Sequence, residues 1–274
     1  MPPLSSLPGW AEYVIIAGMA LSEVLLLALP ALLWARMGKQ DLCDVFSWRQ
    51  AGGREYVGAA LMALGFLPWV QTVVVVQNHL LPRLMHSQDD GAVFLLPLLA
   101  HHPWLMVTLV PLSAAFSEEL LFRGPIQKAL LRRMSAGLSI TVGGLLFAAA
   151  HLDLPGFLVR AALGILLGVL VLRGRSIFPA MLLHGVYDAA ALGGAAWDVH
   201  TQGLAATLHM SALTDMGVSR AELIGGPVVG TVLLALGWWL CVSAWRRRDP
   251  VLPSPAPEVE PGTVWPPPPG EPAP

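Results

Sequence analysis

Two adjacent glutamates and an arginine interrupt an otherwise apolar stretch of the chain. The segment from Ser117 to Gly124 reads Ser-Glu-Glu-Leu-Leu-Phe-Arg-Gly and follows the apolar run from Trp104 to Phe116. A charged side chain at the centre of a membrane helix costs about 2.5–3.5 kcal/mol even on the lenient insertion scale. Because packing alone does not require that cost, Glu118, Glu119 and Arg123 are candidates for chemistry.

Helical spacing divides this cluster into two parts. Glu119 and Arg123 are four residues apart, so on a helix they share a face and can form an ion pair. Glu118 is turned about 100° away from Glu119, so it lies outside this ion pair and is available for catalysis. His184 and Asp188 repeat the spacing of four, so they present two polar groups on one face of a later apolar segment.

Depth in the membrane predicts that polar residues far apart in the sequence meet. At a rise of about 1.5 Å per residue, Glu119, His151, His184 and Asp188 lie roughly 12–20 Å from the cytoplasmic ends of their helices. Similar depths are what a single pocket requires. We therefore expect one pocket built from three helices and opened from the cytoplasmic side.

These residue types support hydrolysis of an amide bond by two routes. In the first, a carboxylate held in a low-dielectric pocket acts as general base on a water. One histidine then holds that water, and a second donates a hydrogen bond to the developing oxyanion. In the second route, two histidines and a carboxylate hold a catalytic zinc with one position open for water. No serine or cysteine is placed convincingly beside the histidines, so an acyl-enzyme is not expected.

The composition predicts a membrane protein that crosses the bilayer several times. The 274 residues are 55% hydrophobic and 12% charged, whereas soluble proteins have about 25% charged residues. Seven apolar runs approach the roughly 20 residues needed to cross a bilayer. They are Trp10–Trp34, Tyr56–Leu81, Trp104–Leu131, Leu138–His151, Phe157–Leu172, Ile177–Trp197 and Glu222–Trp245. The expected fold is an all-α transmembrane bundle of about seven spans, or eight if the run Ala92 to Ala100, expected to be interfacial or re-entrant, also crosses.

The basic residues predict the orientation of the chain. With the N-terminus outside, twelve of the 16 lysines and arginines fall on the cytoplasmic side. These twelve are Arg36, Lys39, Arg49, Arg54, Lys128, Arg132, Arg133, Arg173, Arg175, Arg246, Arg247 and Arg248. Because cytoplasmic loops carry an excess of lysine and arginine, we expect an N-out, C-in protein of the inner membrane.

Changes in composition divide the chain into four parts. They are the N-terminal spans at 1–103, a catalytic core at 104–197, an outer loop and the last span at 198–248, and a tail at 249–274. The tail is rich in proline, so we expect it to be disordered and cytoplasmic. Cys43 and Cys241 are far apart in sequence and form neither a disulfide framework nor a Cys-x-x-Cys metal site.

Three polar motifs follow one another along the predicted core. They are Glu118-Glu119-x-x-x-Arg123, Phe147-x-x-x-His151 and His184-x-x-x-Asp188. In this order, each inside an apolar span, they resemble the signature of the CAAX-protease and bacteriocin-processing family of intramembrane endopeptidases. The resemblance covers about Leu105 to Gly193.

The resemblance implies a role for each residue that would touch the substrate or the water. Glu118 would activate the water, and His151 would help to bind it. His184 and the residue at position 188 would stabilise the oxyanion. Many family members have asparagine at this last position, where this chain has Asp188. An aspartate donates to an oxyanion only when it is protonated; otherwise it accepts a bond from His184 and orients that ring.

The resemblance also implies supporting residues, partners and cofactor requirements. Glu119 and Arg123 would be a structural pair, and Phe147 would pack one turn before the first histidine. The substrate would be a membrane-anchored or lipidated protein, with prenylated proteins, bacteriocins and C-terminal sorting signals all open. The metal-free route is favoured and needs no cofactor. The metalloprotease alternative would use zinc held by Glu118, His151 and His184.

Two other function classes are compatible with charged residues inside a membrane. Glutamate, histidine and aspartate also form proton relays in ion-coupled transporters, although the spans show no evident inverted repeat. A catalytically inactive scaffold of the same family is the second alternative. Outside the motifs, Glu23 is an isolated charge in the first span. His101 and His102 precede Pro103 and are expected in a solvated loop.

Overall fold

The computed structural model describes residues 8–81, 90–204, 206–207 and 220–247. The backbone of these residues forms helices, turns and short connections, without a β-strand. Helices satisfy their own backbone hydrogen bonds, as a chain in lipid requires. The all-α prediction is therefore confirmed. The proline-rich tail at 249–274 lies outside the described residues.

The helices follow the predicted apolar runs closely. They are α1 Gly9–Met37, α2 Leu42–Val45, α3 Gly53–Leu80, α4 Asp90–His101, α5 Pro103–Leu131, α6 Ala136–Ala150, α7 Phe157–Gly174, α8 Phe178–Gln202 and α9 Arg220–Trp245. The run Ala92 to Ala100 lies within α4, a helix of 12 residues. The part of the predicted outer loop from Asp198 to Gln202 instead continues α8.

Five helices have the length and apolar composition to cross a membrane, among the described residues. They are α1, α3, α5, α7 and the Ile224–Trp245 part of α9. The two other predicted spans coincide with α6 and α8. Helix α6 is apolar but has only 15 residues, and α8 carries polar residues that belong to the site described below. The chain is a multi-pass helical membrane protein.

Helices α3 and α9 pack against each other through glycines. A Cβ on Gly58 would lie 2.6 Å from the carbonyl oxygen of Gly237, and a Cβ on Gly65 would lie 2.7 Å from that of Gly230. Small residues at such positions let two membrane helices approach closely. Because there is no room for larger side chains, this helix pair depends on all four glycines.

Helices α6 and α7 form a second close pair, which fixes the wall of the site. A Cβ on Gly164 would lie 2.9 Å from Cα of Gly144 and 3.2 Å from the ring of Phe147. The Phe147 side chain is only 1% exposed. The close approach of the two helices therefore holds this ring in place.

Two helices of the bundle are irregular, and both irregularities border polar residues. In α1, residues Val24–Ala28 form a π-helical turn directly after Glu23. Pro30, which follows this turn, cannot donate the helical hydrogen bond to the carbonyl four residues earlier. In α5, a kink at Gly124 precedes Pro125, and a Cβ on Gly124 would lie 2.6 Å from the Phe46 ring.

Candidate active site

Helix α5 presents Glu119 and Arg123 to the interior of the bundle as an ion pair. Nε of Arg123 donates to Oε2 of Glu119 over 2.9 Å. Their side chains are 1% and 0% exposed, respectively. The spacing of four residues produces this contact on one helix face. The structural pair predicted from the sequence is therefore present.

Glu118 points to a different face of α5, towards two histidines. Its Oε2 atom is buried and has no hydrogen-bond partner among the described residues. This oxygen lies 3.8 Å from Nε2 of His151 and 3.9 Å from Nε2 of His184. Both distances are too long for direct hydrogen bonds, but a water that lies to one side of the two atoms can be within hydrogen-bond distance of both.

His151 follows the last residue of α6 and is held by the backbone of that helix. Its Nδ1 atom lies 2.9 Å from the carbonyl oxygen of Phe147. A carbonyl oxygen only accepts hydrogen bonds, so Nδ1 carries the hydrogen. Nε2 of the neutral ring then keeps its lone pair, directed towards Glu118. This nitrogen can accept a hydrogen bond from a water or bind a metal ion.

His184 on α8 contacts carboxylates with both ring nitrogens. Nδ1 lies 3.1 Å from Oε1 of Glu119, and Nε2 lies 3.3 Å from Oδ2 of Asp188. Carboxylate oxygens accept hydrogen bonds, so this arrangement is satisfied when both nitrogens carry hydrogens. The ring is 3% exposed, and Asp188 is 29% exposed. Of the three hydrogen-bonded residues Glu119, His184 and Asp188, Asp188 is thus the most exposed.

Phe147 packs against most of the site. Its ring lies with centroids 5.0 Å from that of His151 and 5.6 Å from that of His184. The guanidinium carbon of Arg123 lies 5.3 Å from its centroid, within the range of a cation–π contact. The ring therefore contacts both histidines and Arg123, and it restricts the rotation of these three side chains.

The family of this part of the chain follows from comparison with known proteins. Residues 100–190 match the family model described as type II CAAX prenyl endopeptidase Rce1-like. The chain carries an Rce1-like domain. No curated protein and no solved structure matched the chain significantly.

The Rce1-like domain contains all seven residues predicted for the site. It begins at the end of α4, spans α5, α6 and α7, and ends within α8. The extent expected from the three motifs, Leu105 to Gly193, agrees with this match. The Rce1-like family is a protease family, so the match supports protease activity at the level of the family.

The side chains of the Rce1-like domain do not form the three-residue zinc site of the metalloprotease alternative. Glu118 and His151 each offer a free donor atom, but both nitrogens of His184 are directed at carboxylates. Within the described ranges, no group of three or more histidine, cysteine, aspartate or glutamate side chains could hold a metal ion. We therefore derive no step through a metal.

One prediction about the edge of the domain is wrong. His101 and His102 do not lie in a solvated loop, because both bind the carboxylate of Glu12 at the start of α1. Nδ1 of His101 is 2.9 Å from Oε1 and Nε2 of His102 is 2.8 Å from Oε2. The Tyr13 ring packs against His102 at a tilt of 52°, with ring centroids 4.4 Å apart. This cluster connects α1 to the junction between α4 and α5.

Glu23 is the residue of the site region that the motifs missed. It was expected to be isolated, but its carboxylate interacts electrostatically with His184 and Asp188 and with Glu118. It lies on α1, outside the Rce1-like domain. The only signal in the sequence was a glutamate in an apolar span, without a neighbour to indicate its partners.

Proposed function

We propose that this protein is an intramembrane endopeptidase that hydrolyses a peptide bond with a water activated by Glu118. The observation that carries this proposal is the placement of the Glu118 carboxylate. Its buried Oε2 has no hydrogen-bond partner and lies 3.8 and 3.9 Å from Nε2 of His151 and His184. A water in this space would contact both a base and a hydrogen-bond acceptor.

The reaction begins with the water between Glu118 and His151. The lone pair on Nε2 of His151 accepts one hydrogen of the water and thereby orients it. Glu118 removes the other hydrogen as the water oxygen attacks the carbonyl carbon of the substrate. Glu118 then passes this proton to the leaving nitrogen as the carbon–nitrogen bond breaks, which yields a carboxylic acid and an amine.

His184 and Asp188 act on the oxyanion formed by the attack. Nε2 of His184 lies 3.3 Å from Asp188 and 3.9 Å from Glu118, so its single N–H would pass its hydrogen bond from Asp188 to the substrate oxygen as the oxyanion forms. Donors placed at a developing oxyanion stabilise the transition state. Asp188 accepts from the ring and orients it. Glu119 holds the other ring nitrogen, and Arg123 holds Glu119.

We propose that the catalytic core at 104–197 is carried by seven spans in an N-out, C-in orientation in an inner membrane. Helices α6 and α8 would be the two spans beyond the five apolar ones. Helix α6 is short but apolar, and α8 carries His184 and Asp188 of the site. The Glu12–His102 contact supports this topology, since it requires the beginnings of α1 and α5 to lie on the same side of the membrane.

The two cysteines provide a direct test of this orientation. Cys43 is exposed between α1 and α3, whereas Cys241 is buried in α9. A membrane-impermeant maleimide should therefore label Cys43 in inside-out vesicles but not in intact spheroplasts. Labelling from the outside would contradict the N-out orientation. The variant Cys43→Ser is the control for reaction at the second cysteine.

The substrate is proposed to be a membrane-anchored or lipidated protein. The family model refers to CAAX prenyl proteins, while bacteriocins and C-terminal sorting signals are the other candidates. Pull-down with the variant Glu118→Gln, followed by mass spectrometry, should recover the bound substrate. The carboxamide keeps the shape of the side chain but cannot accept the proton of the water.

Activity of the same variant tests the mechanism. We expect Glu118→Gln to lower the cleavage rate by about 10²–10⁴-fold, the contribution of a general base, while the protein stays folded and inserted. Glu12→Gln is the control, because it removes a buried carboxylate that lies outside the site. Unchanged cleavage by Glu118→Gln would refute the protease proposal. A coupled ion flux in proteoliposomes would favour the transporter alternative, and a folded wild-type protein that cleaves nothing would favour the scaffold.

A further inference from the structure

Two carboxylate oxygens are buried without a hydrogen-bond partner among the described residues. One belongs to Glu118 and the other is Oε2 of Glu23. The orphan oxygen of Glu118 is accounted for by the water that it activates. That of Glu23 has no role in the proposed reaction. The Glu23 residue is only partly buried, but its enclosed Oε2 lacks a hydrogen bond, and an unsatisfied buried acceptor is costly. A ligand that donates to this atom would therefore stabilise it.

The position of Glu23 places this unpaired oxygen beside the active site. Glu23 lies at the end of the regular part of α1, where the π-helical turn Val24–Ala28 begins and packs against α5. Its carboxylate interacts electrostatically with Glu118, His184 and Asp188. Glu23 therefore adds a fourth carboxylate to a site that already holds three.

The basic groups in and around this site are already occupied. Arg123 pairs with Glu119, His184 with Glu119 and Asp188, Arg160 with Asp153, and His151 with the carbonyl oxygen of Phe147. Glu118 loses its negative charge when it takes the proton from water. Glu23 is then the carboxylate of this site that makes no salt bridge within the described part of the chain, so a positive charge from outside the protein can pair with it.

We propose that Glu23 is a specificity residue that receives a basic side chain, lysine or arginine, of the substrate segment beside the scissile bond. This inference rests on the proposed protease function. The ends of membrane segments are rich in lysine and arginine on the cytoplasmic side, from which we propose the substrate enters. The long apolar stems of these residues cross apolar surroundings while the charged end reaches a polar partner.

Loss of this contact has a specific kinetic signature. The ion pair is made when the substrate binds and is kept in the transition state, so it contributes uniform binding. Its removal should therefore raise KM and leave kcat close to the wild-type value. A merely structural defect at Glu23 would lower kcat for every substrate alike.

The experiment first maps the cleavage sites. Protein N-termini are compared in cells that contain the full-length wild type or the variant Glu118→Gln. Peptides of each mapped sequence are then synthesised in pairs, with arginine or its neutral isostere citrulline at the basic position nearest the cut. Both are assayed with the full-length protein in proteoliposomes.

We expect the wild type to prefer the arginine peptide by about tenfold or more in kcat/KM, since a buried polar group of the enzyme is otherwise left unpaired. Glu23→Gln should remove this preference, and it should cleave the citrulline peptide at a rate similar to that of the wild type. The matched control Glu12→Gln, on the same helix but paired with two histidines, should retain the wild-type preference.

The outcomes separate this inference from the proposed function. Cleavage sites that depend on Glu118 but lack basic residues, or a wild-type ratio near one for the peptide pair, would overturn the role of Glu23 alone. A preference that persists in Glu23→Gln would do the same. If no cleavage site depends on Glu118, the proposed function and this inference both fail. The wild-type ratio is decisive even if Glu23→Gln does not fold.

Discussion

The buried ion pair between Glu119 and Arg123 allows the stability of the site to be separated from its chemistry. The two side chains are 0% and 1% exposed, and the Nε–Oε2 distance is 2.9 Å. Arg123→Met removes the cation and leaves the buried Glu119 carboxylate with His184 as its remaining partner. Breaking one half of a buried pair typically costs 3–5 kcal/mol, so we expect the free energy of unfolding to fall by about that amount.

Removal of both charges should cost much less than the sum of the single changes. Replacing a buried ion pair with uncharged groups of similar volume is often close to neutral. We therefore expect the double variant Glu119→Gln/Arg123→Met to be more stable than either single variant. Equilibrium unfolding in mixed detergent micelles, followed by tryptophan fluorescence, gives the three free energies. Additive costs would refute the interpretation of the pair as mutually compensating charges.

Activity should not recover along with stability in the double variant. Glu119 also holds Nδ1 of His184 over 3.1 Å, and an amide holds this ring less firmly than a carboxylate. Partners that orient histidines at metal sites typically contribute about 10- to 100-fold to activity, and we expect a loss of that order here. A double variant that is stable and fully active would show that the ion pair is not needed to position His184.

Three further predictions concern packing, the oxyanion and the outer cluster. Gly65→Val should lower the unfolding temperature, because overpacking typically costs about 1–3 kcal/mol and even a Cβ here would lie 2.7 Å from a backbone oxygen of α9. In the control variant Gly53→Ala, the added Cβ meets nothing within 4 Å, so the unfolding temperature should stay unchanged. Asp188→Asn, which keeps an acceptor oxygen for the histidine, should retain more cleavage than Asp188→Leu, and equal rates in the two would contradict the orienting role. His102→Ala should reduce stability by about 1–3 kcal/mol, because it removes one partner of the buried Glu12 carboxylate; thermal unfolding that matches the wild type would show that this bond is dispensable.

The local pattern of the sequence was enough to predict the helices and the relations within each motif. The ion pair of Glu119 with Arg123 and the separate direction of Glu118 follow from the angular spacing of residues on one helix. Apolar runs of membrane length gave helix positions that agree with the structure within a few residues. These features depend only on neighbours along the chain.

Contacts between helices were only partly predictable, for a physical reason. The meeting of Glu118 with His151 and His184 followed from similar depths, because the motifs marked all three residues. Glu23 and Glu12 carry no such mark. Their partners depend on how α1 rotates about its own axis, which is set by the π-helical turn and by packing. An isolated glutamate in an apolar run contains no information about that rotation.

The π-helical turn in α1 also has a consequence for how this protein can vary between related sequences. A π-helical turn holds more residues than an α-helical one, and a one-residue insertion into a regular helix can produce it. Deleting one residue from Val24–Ala28 would restore a regular helix and rotate Glu23 by about 100° relative to Leu29–Met37. A homologue shorter by one residue here would keep its membrane span but lose the fourth carboxylate from the site. Length variation at this turn, rather than substitution of the glutamate, is therefore a route by which relatives could change their preference for charged substrates.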